Sequence, residues 1–104
     1  MNKNELLNAG LKNFASGDLD KAIDFLNQAL VIDDKFILAY NALAQCYNQI
    51  GNLEKALEMA KNFAELAPED PIAHTALSRL YVQKGMIEEA EKELALSNHL
   101  AHNQ

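Results

Sequence analysis

With 104 residues the chain has room for one small domain, and 15 acidic against 9 basic side chains give it a net charge of −6. That balance disfavours nucleic acid and anionic membrane surfaces as partners, since both are bound through a surplus of Lys and Arg. The single cysteine, Cys46, excludes an internal disulfide, and no apolar run approaches the length that spans a bilayer, so the expectation is a soluble protein of a reducing compartment, most simply the cytoplasm.

Gly17, Gly51 and Gly85 stand 34 residues apart. So do Leu19, Leu53 and Ile87, then Ala22, Ala56 and Ala90, and finally Ile32, Leu66 and Leu100. Composition does not produce four such coincidences, so the chain is an internal repeat of units 3–36, 37–70 and 71–104, about the smallest number that buries a continuous core.

Residues 3–15 read as a first helix, with Leu6, Ala9, Gly10, Asn13 and Phe14 at helical spacing and Ser16-Gly17 as its stop. A second helix over 19–32 takes Asp18 as its N-cap; Asn52 repeats that role ahead of 53–66, and Met86, ahead of 87–100, has no capping group. Gly10, Ala44 and Ser78 in the first helices face Ala22, Ala56 and Ala90 in the second. These small residues predict a close helix crossing that a large side chain would overpack at about 1–3 kcal/mol. Asp33-Asp34-Lys35 places acids just ahead of the third helix, 37–50, whose apolar residues include Leu38, Tyr40, Leu43, Cys46 and Tyr47. In the fourth helix Ala60 and Phe63 stand where unit one has Leu26 and Ala29, an exchange of large and small that conserves volume. Pro68-Glu69-Asp70-Pro71 is the strongest punctuation, with Asp70 as cap and Pro71 preset for the first position of helix 71–84. In the last helix Glu91 and Asn98 replace apolar residues of the earlier units while Ala95 and Leu96 replace polar ones, so the apolar stripe is rotated, and no seventh helix follows to cover it. Leu96 and Leu100 are therefore candidates for an oligomer edge.

A unit of this length, with a Gly closing its first helix and an Ala near the start of its second, resembles the tetratricopeptide repeat family. Unit two carries the likeness best, in Tyr40, Leu43, Ala44, Tyr47, Gly51, Leu53, Ala56 and Pro68. Unit one departs at Leu6, Asn13 and Asp34, and unit three at His74 and His102. The resemblance implies an all-α fold in which three helix-turn-helix units stack as a short right-handed superhelical solenoid, a single domain over 1–104. It also implies a concave groove lined by the first helices. Carried over position by position, that groove falls on Leu7, Asn8, Leu11 and Phe14, on Leu38, Asn41, Ala42, Gln45, Asn48 and Gln49, and on Ile72, Thr75, Ala76, Arg79, Val82 and Gln83. No acid is among them, and Arg79 is the only charge. The amides suit an extended peptide backbone, and the i, i+4, i+7 stripe of Leu7, Leu11 and Phe14 suits an amphipathic helix or stabilises the N-terminal edge. The family's clamp for a C-terminal carboxylate would fall on Leu7, Leu11, Ala42, Ile72 and Ala76, none of which can hold one.

No catalytic constellation stands out: Ser16, Ser78 and Ser97 lack a Gly-rich elbow, and Cys46 on an apolar stripe reads as a buried structural thiol. His99 and His102 offer two ligands where a structural zinc site wants four, and His74 occupies an aromatic core position. The acids of the second helices read as a solvated face paired with Lys21, Lys55 and Lys61. The expected function is a non-enzymatic protein-interaction module without cofactor or metal, taking a peptide or helical segment of another protein in the groove. The alternatives are a homodimer through the Leu96 and Leu100 edge, or a small acidic chaperone of a secretion system.

Overall fold

In the computed structural model, which describes residues 1–103, Gly17, Gly51 and Gly85 have φ of 84°, 84° and 82°, the left-handed region that glycine enters without penalty. Each closes a first helix in the same way. The amide after the glycine bonds back five residues, from Asp18 to Asn13, Asn52 to Tyr47 and Met86 to Tyr81, satisfying carbonyls that the helix end leaves free. These turns separate α1 (Lys3–Ala15) from α2 (Leu19–Ile32), α3 (Ile37–Gln49) from α4 (Leu53–Leu66), and α5 (Pro71–Lys84) from α6 (Ile87–His102). The result is an all-helical stack of three hairpins. The sequence-based bounds hold except that α3 stops at Gln49, where Ile50 enters the turn, and α6 runs on to His102.

Asp18, Asn52 and Asp70 cap α2, α4 and α5 by accepting from the amides of Lys21, Lys55 and Ile72, and Met86 leaves α6 without a side-chain cap. Asn2 and Glu5 form a reciprocal capping box on α1 that was not anticipated. The acids between units one and two behave differently from expectation. Phe36, the N-cap residue of α3, provides no side-chain cap, and Asp33 instead accepts from the Lys35 amide and from Lys3 Nζ at 2.6 Å. The Lys3 bond, with the Lys35 amide second, holds the Asp33 carboxyl below its ordinary range. Lys3 also lies 4.9 Å from the centre of the Phe36 ring, so one side chain ties α1 to the next junction.

Of the three lysines expected to pair along the second helices, Lys21 alone does so, at 3.8 Å from Asp18. Lys55 lies over the Tyr47 ring instead, and Lys61 forms no ion pair among the described residues. Exposed pairs of this kind gain too little to fix long side chains.

Two cores hold the stack. Leu6, Leu7, Leu26, Ala29, Phe36, Leu43 and Cys46 belong to one between units one and two; Ala44, Leu57, Ala60, Leu77 and Leu80 belong to one between units two and three. Tyr47 and Met59 pack against both. The exchange of Leu26 and Ala29 for Ala60 and Phe63 leaves all four buried, as volume conservation requires.

The close crossing is sharpest at Gly10, where an added Cβ would stand 2.7 Å from Leu26 Cγ and 3.4 Å from the Ala22 carbonyl oxygen. Alanine there gains up to about 1 kcal/mol of helix preference but overpacks by about 1–3 kcal/mol. Gly10→Ala should therefore lower stability by about 1 kcal/mol in the native sequence, yet raise it by about 0.5–1 kcal/mol once Leu26→Ala has emptied the site. Urea denaturation of the four proteins tests this, and a sign that fails to reverse would remove Leu26 as the cause.

Candidate functional site

Because α2, α4 and α6 each fold back on the helix before them, α1, α3 and α5 are left to share a second surface. α3 and α5 bound an open hollow of about 430 Å³ there, lined by Asn41, Ala44, Gln45, Asn48, Ile72, Thr75, Ala76, Arg79 and Leu80. Ala44 and Leu80 are buried and form its floor, while Gln45, Ile72 and Arg79 are exposed and form its rim. Seven groove positions read from the sequence, Asn41, Gln45, Asn48, Ile72, Thr75, Ala76 and Arg79, thus come together. The floor residues were missed, although both lie one helical turn from a candidate: Ala44 from Asn41, and Leu80 from Ala76.

The α1 candidates do not join the hollow. Leu7 and Ala42 are 8% and 7% exposed and belong to the first core: small Ala42 allows α1 and α3 to approach, and Leu7 fills the contact. Neither offers a side chain to a ligand, which corrects their assignment to the groove surface. Phe14 is half-buried against the same core. Asn8, Leu11, Leu38, Val82, Gln49 and Gln83 are exposed outside the hollow.

Thr75 lines the hollow with its hydroxyl committed elsewhere. Ser97 donates to the Pro71 carbonyl at 2.9 Å, so its oxygen is left to accept from Thr75 Oγ1 at 2.6 Å. Gln45 donates to Asn41 Oδ1 at 3.3 Å, which leaves the Asn41 amide hydrogens and the Gln45 oxygen for another group. Arg79 forms no ion pair among the described residues.

Charge is divided between the two sets of helices. α1, α3 and α5 carry Lys3, Lys12, Arg79 and Lys84 against Glu5 alone, a surplus of three positive charges. α2, α4 and α6 carry nine acids against four lysines. Lys3 pairs with Asp33 and Lys84 with Glu54, which leaves Arg79 as the charge at the hollow, whose lining holds no carboxylate.

At the other candidate surface Leu96 is exposed and Leu100 half-buried. The 34-residue register, however, places Leu94 where Leu26 and Ala60 stack against the following unit, and Leu94 is 46% exposed. Leu96 corresponds to Gln28, which is exposed, and Asn62, which is half-buried.

A family model described as tetratricopeptide repeat matches residues 13–62 and again 51–104. The chain belongs to the tetratricopeptide repeat family. No curated protein matches it by sequence. Among solved structures it is similar to a crystal structure of MamA, at 24% identity and a TM-score of 0.95 over 98% of this chain and 60% of that one. It is also similar to the type III secretion chaperone SycD of Yersinia enterocolitica in complex with a peptide of the translocator YopD, at 22% identity and a TM-score of 0.91 over 97% of this chain and 77% of that one. The second tetratricopeptide domain of Spaghetti (RPAP3) bound to the HSP90 peptide SRMEEVD matches at 18% identity and a TM-score of 0.90, over 96% of this chain and 93% of that one. The chain thus spans about 60% of the length of that MamA chain, and these likenesses are of fold.

The repeat also explains the histidine at its aromatic position. Tyr40 donates its hydroxyl to the Asp34 carbonyl at 2.6 Å, and His74, one repeat later, directs Nε2 at the Pro68 carbonyl at 2.7 Å. Its other nitrogen, Nδ1, lies 2.7 Å from Glu93 Oε2. Both partners are acceptors, a neutral imidazole has one N–H, and the geometry is therefore that of the imidazolium. Burial works to lower the His74 pKa, but the bonds to the Pro68 carbonyl and Glu93, with the charges of Glu93 and Asp70, outweigh it and raise the pKa above 6.5. His74 is a packed residue in a polar seam, not a free ligand. Cys46 is fully buried, and burial pushes its thiol pKa up, away from the reactive thiolate. Among the described residues no three His, Cys, Asp or Glu side chains converge as for a metal.

A folded-state pKa raised above the unfolded one means that charged His74 contributes its full stability below about pH 6.5 and loses it as the pH rises through the folded value. The thermal midpoint should fall between about pH 6 and pH 8.5, and fall less in His74→Tyr, which supplies the neutral donor used in unit two. Equal slopes in the two proteins would remove His74 as the titrating group.

Proposed function

We propose that this chain is a non-enzymatic protein-interaction module that takes a peptide or helical segment of another protein along the concave side formed by α1, α3 and α5. The observation that carries this reading is the hollow between α3 and α5, which combines amides, Arg79 and the exposed Ile72 and is free of carboxylates in a chain of net charge −6. Tetratricopeptide repeats are in general an interaction fold, and two of the similar structures hold peptides, from YopD and from HSP90. The five positions that would clamp a C-terminal carboxylate carry Leu7, Leu11, Ala42, Ile72 and Ala76, which have no side-chain donors, so the module is not an adaptor of that kind. It works without a cofactor, in the cytoplasm, apart from nucleic acid and membrane. No helix among the described residues is long and apolar enough to cross a bilayer.

A second reading is self-assembly through α6, favoured by the exposed Ile87, Leu94 and Leu96 on one helix. The two readings separate in a single experiment. Ile72 is 61% exposed, so Ile72→Glu leaves the core untouched while placing a charge on the rim. It should reduce capture of partner proteins from source-cell lysate about tenfold, the effect of roughly 1.4 kcal/mol. The double variant Leu94→Glu, Leu96→Glu should leave that capture unchanged. Capture unaffected by Ile72→Glu overturns the groove. A dimer of the wild type that dissociates in the α6 variant, measured by light scattering, would make assembly the function.

A further inference from the structure

We propose that the segment this groove selects carries an acidic side chain that pairs with Arg79, placed two to four residues from an apolar side chain that covers Ile72. The inference rests on the groove reading above and adds to it the chemistry of the partner. Arg79 is exposed at the rim of the hollow, without an ion pair among the described residues and with no carboxylate among the lining side chains. Of the two helices that bound the hollow, α3 carries no charged side chain and α5, besides the buried His74, only Arg79 and Lys84, whose ammonium pairs with Glu54 at 3.2 Å, whereas α2, α4 and α6 hold the excess of acid. A cation left unpaired at the edge of a concave surface complements a carboxylate, and a guanidinium accepts one through two parallel hydrogen bonds.

The spacing follows from the helix. Ile72 and Arg79 are seven residues apart on α5, close to two turns, and so lie on one face. At about 1.5 Å per residue their Cα atoms are separated by about 10 Å along the axis. An extended segment advances about 3.3 Å per residue and returns to the same face every second residue, so side chains two or four apart sit about 7 or 13 Å from one another. The long stem of arginine absorbs the difference in either case. Across the hollow, Asn41 and Gln45 line the α3 side, and the Asn41 hydrogens and Gln45 oxygen that their mutual bond leaves unused suit the carbonyl and amide of an extended main chain. The acid here is a side chain within the segment, not a chain end.

A degenerate library of 12-residue peptides, acetylated and amidated so that no terminal charge remains, tests the proposal against immobilised wild type, Arg79→Gln and Ile72→Glu. Peptides retained by the wild type should be enriched in Asp or Glu at a position two to four residues from an apolar one. Arg79→Gln should lose the acidic enrichment, keep the apolar one, and bind an acidic peptide chosen from the wild-type pool about two- to fivefold more weakly, the scale of a partly exposed ion pair. Enrichment without acids, or acidic enrichment that persists in Arg79→Gln, overturns the inference and leaves the groove reading standing. Retention by the wild type no greater than by Ile72→Glu overturns the groove reading itself.

Discussion

Within each hairpin the first helix can approach the second only as closely as residue 10, 44 or 78 permits, and that limit governs what the facing helix can bury. At Gly10 the missing Cβ leaves a space that Leu26 fills completely. Ala44 is paired by the register with the smaller Ala60, so a similar volume is divided differently across the same crossing. Ser78 introduces both a Cβ and a hydroxyl, and the hydroxyl donates to the Ala90 carbonyl at 2.9 Å, the counterpart of the Ala22 oxygen that lies against Gly10. The third crossing is therefore held by hydrogen bonds as well as by packing, and Leu94, in the register of Leu26, remains half exposed.

The same substitution of polar seam for apolar contact recurs at the repeat's aromatic position. Leu6 fills it by packing, Tyr40 by packing and one hydrogen bond, and His74 by two. Tyrosine offers its donor at any ordinary pH, whereas histidine satisfies two acceptors only with a second proton, so the third hairpin acquires a charge that the others lack. Together with Thr75, Ser97 and the Pro71 carbonyl, this places side-chain hydrogen bonds from one end of α5 to the middle. Such bonds stabilise while they are complete, and removing one member leaves its buried partner unsatisfied at a cost of about 1–3 kcal/mol.

Features set by a few neighbouring residues were legible in the sequence. The glycine turns, the caps at Asp18, Asn52 and Asp70 and the bounds of six helices depend on local backbone geometry, which a repeating pattern states three times. Features set by how one unit lies on the next were not. Leu7 has the spacing of a surface stripe along α1, and nothing in that spacing shows that Ala42 lets α3 close over it. Lys55 has Glu58 at helical spacing yet lies over Tyr47 from the preceding helix, and Asp33 turns back to Lys3 rather than forward to α3. The hollow was half legible for the same reason: its amides and Arg79 follow from family positions, while its floor at Ala44 and Leu80 exists only because α5 packs beside α3. For the edge of α6 the signal was present, since the register marks Leu94, whereas the counterparts of Leu96, Gln28 and Asn62, are polar and lie outside the buried cores.

Net charge and local charge answer different questions in this molecule. Across a stack 39 Å long and 20 Å thick, a screening length of about 8 Å at physiological salt separates the acids of the outer helices from the lining of the hollow. The charge of −6 therefore governs solubility and the slow approach of distant polyanions, while a segment already at the rim meets Arg79 and amides with no carboxylate among them. Stacking produces this division. In α3 and α5 the positions turned towards the preceding unit are apolar, Ala39, Ala42 and Cys46, then Ala73, Ala76 and Leu80, whereas α1 has Glu5, Asn8 and Lys12 there, exposed. Charge is excluded from the buried side of each first helix, and what remains of it on that helix is collected on the free side or at its ends. The second helices, with a broad face in solvent, take the acids. A groove of one sign on a protein of the other thus follows from the burial pattern of the repeat, without a separate constraint on the ligand surface.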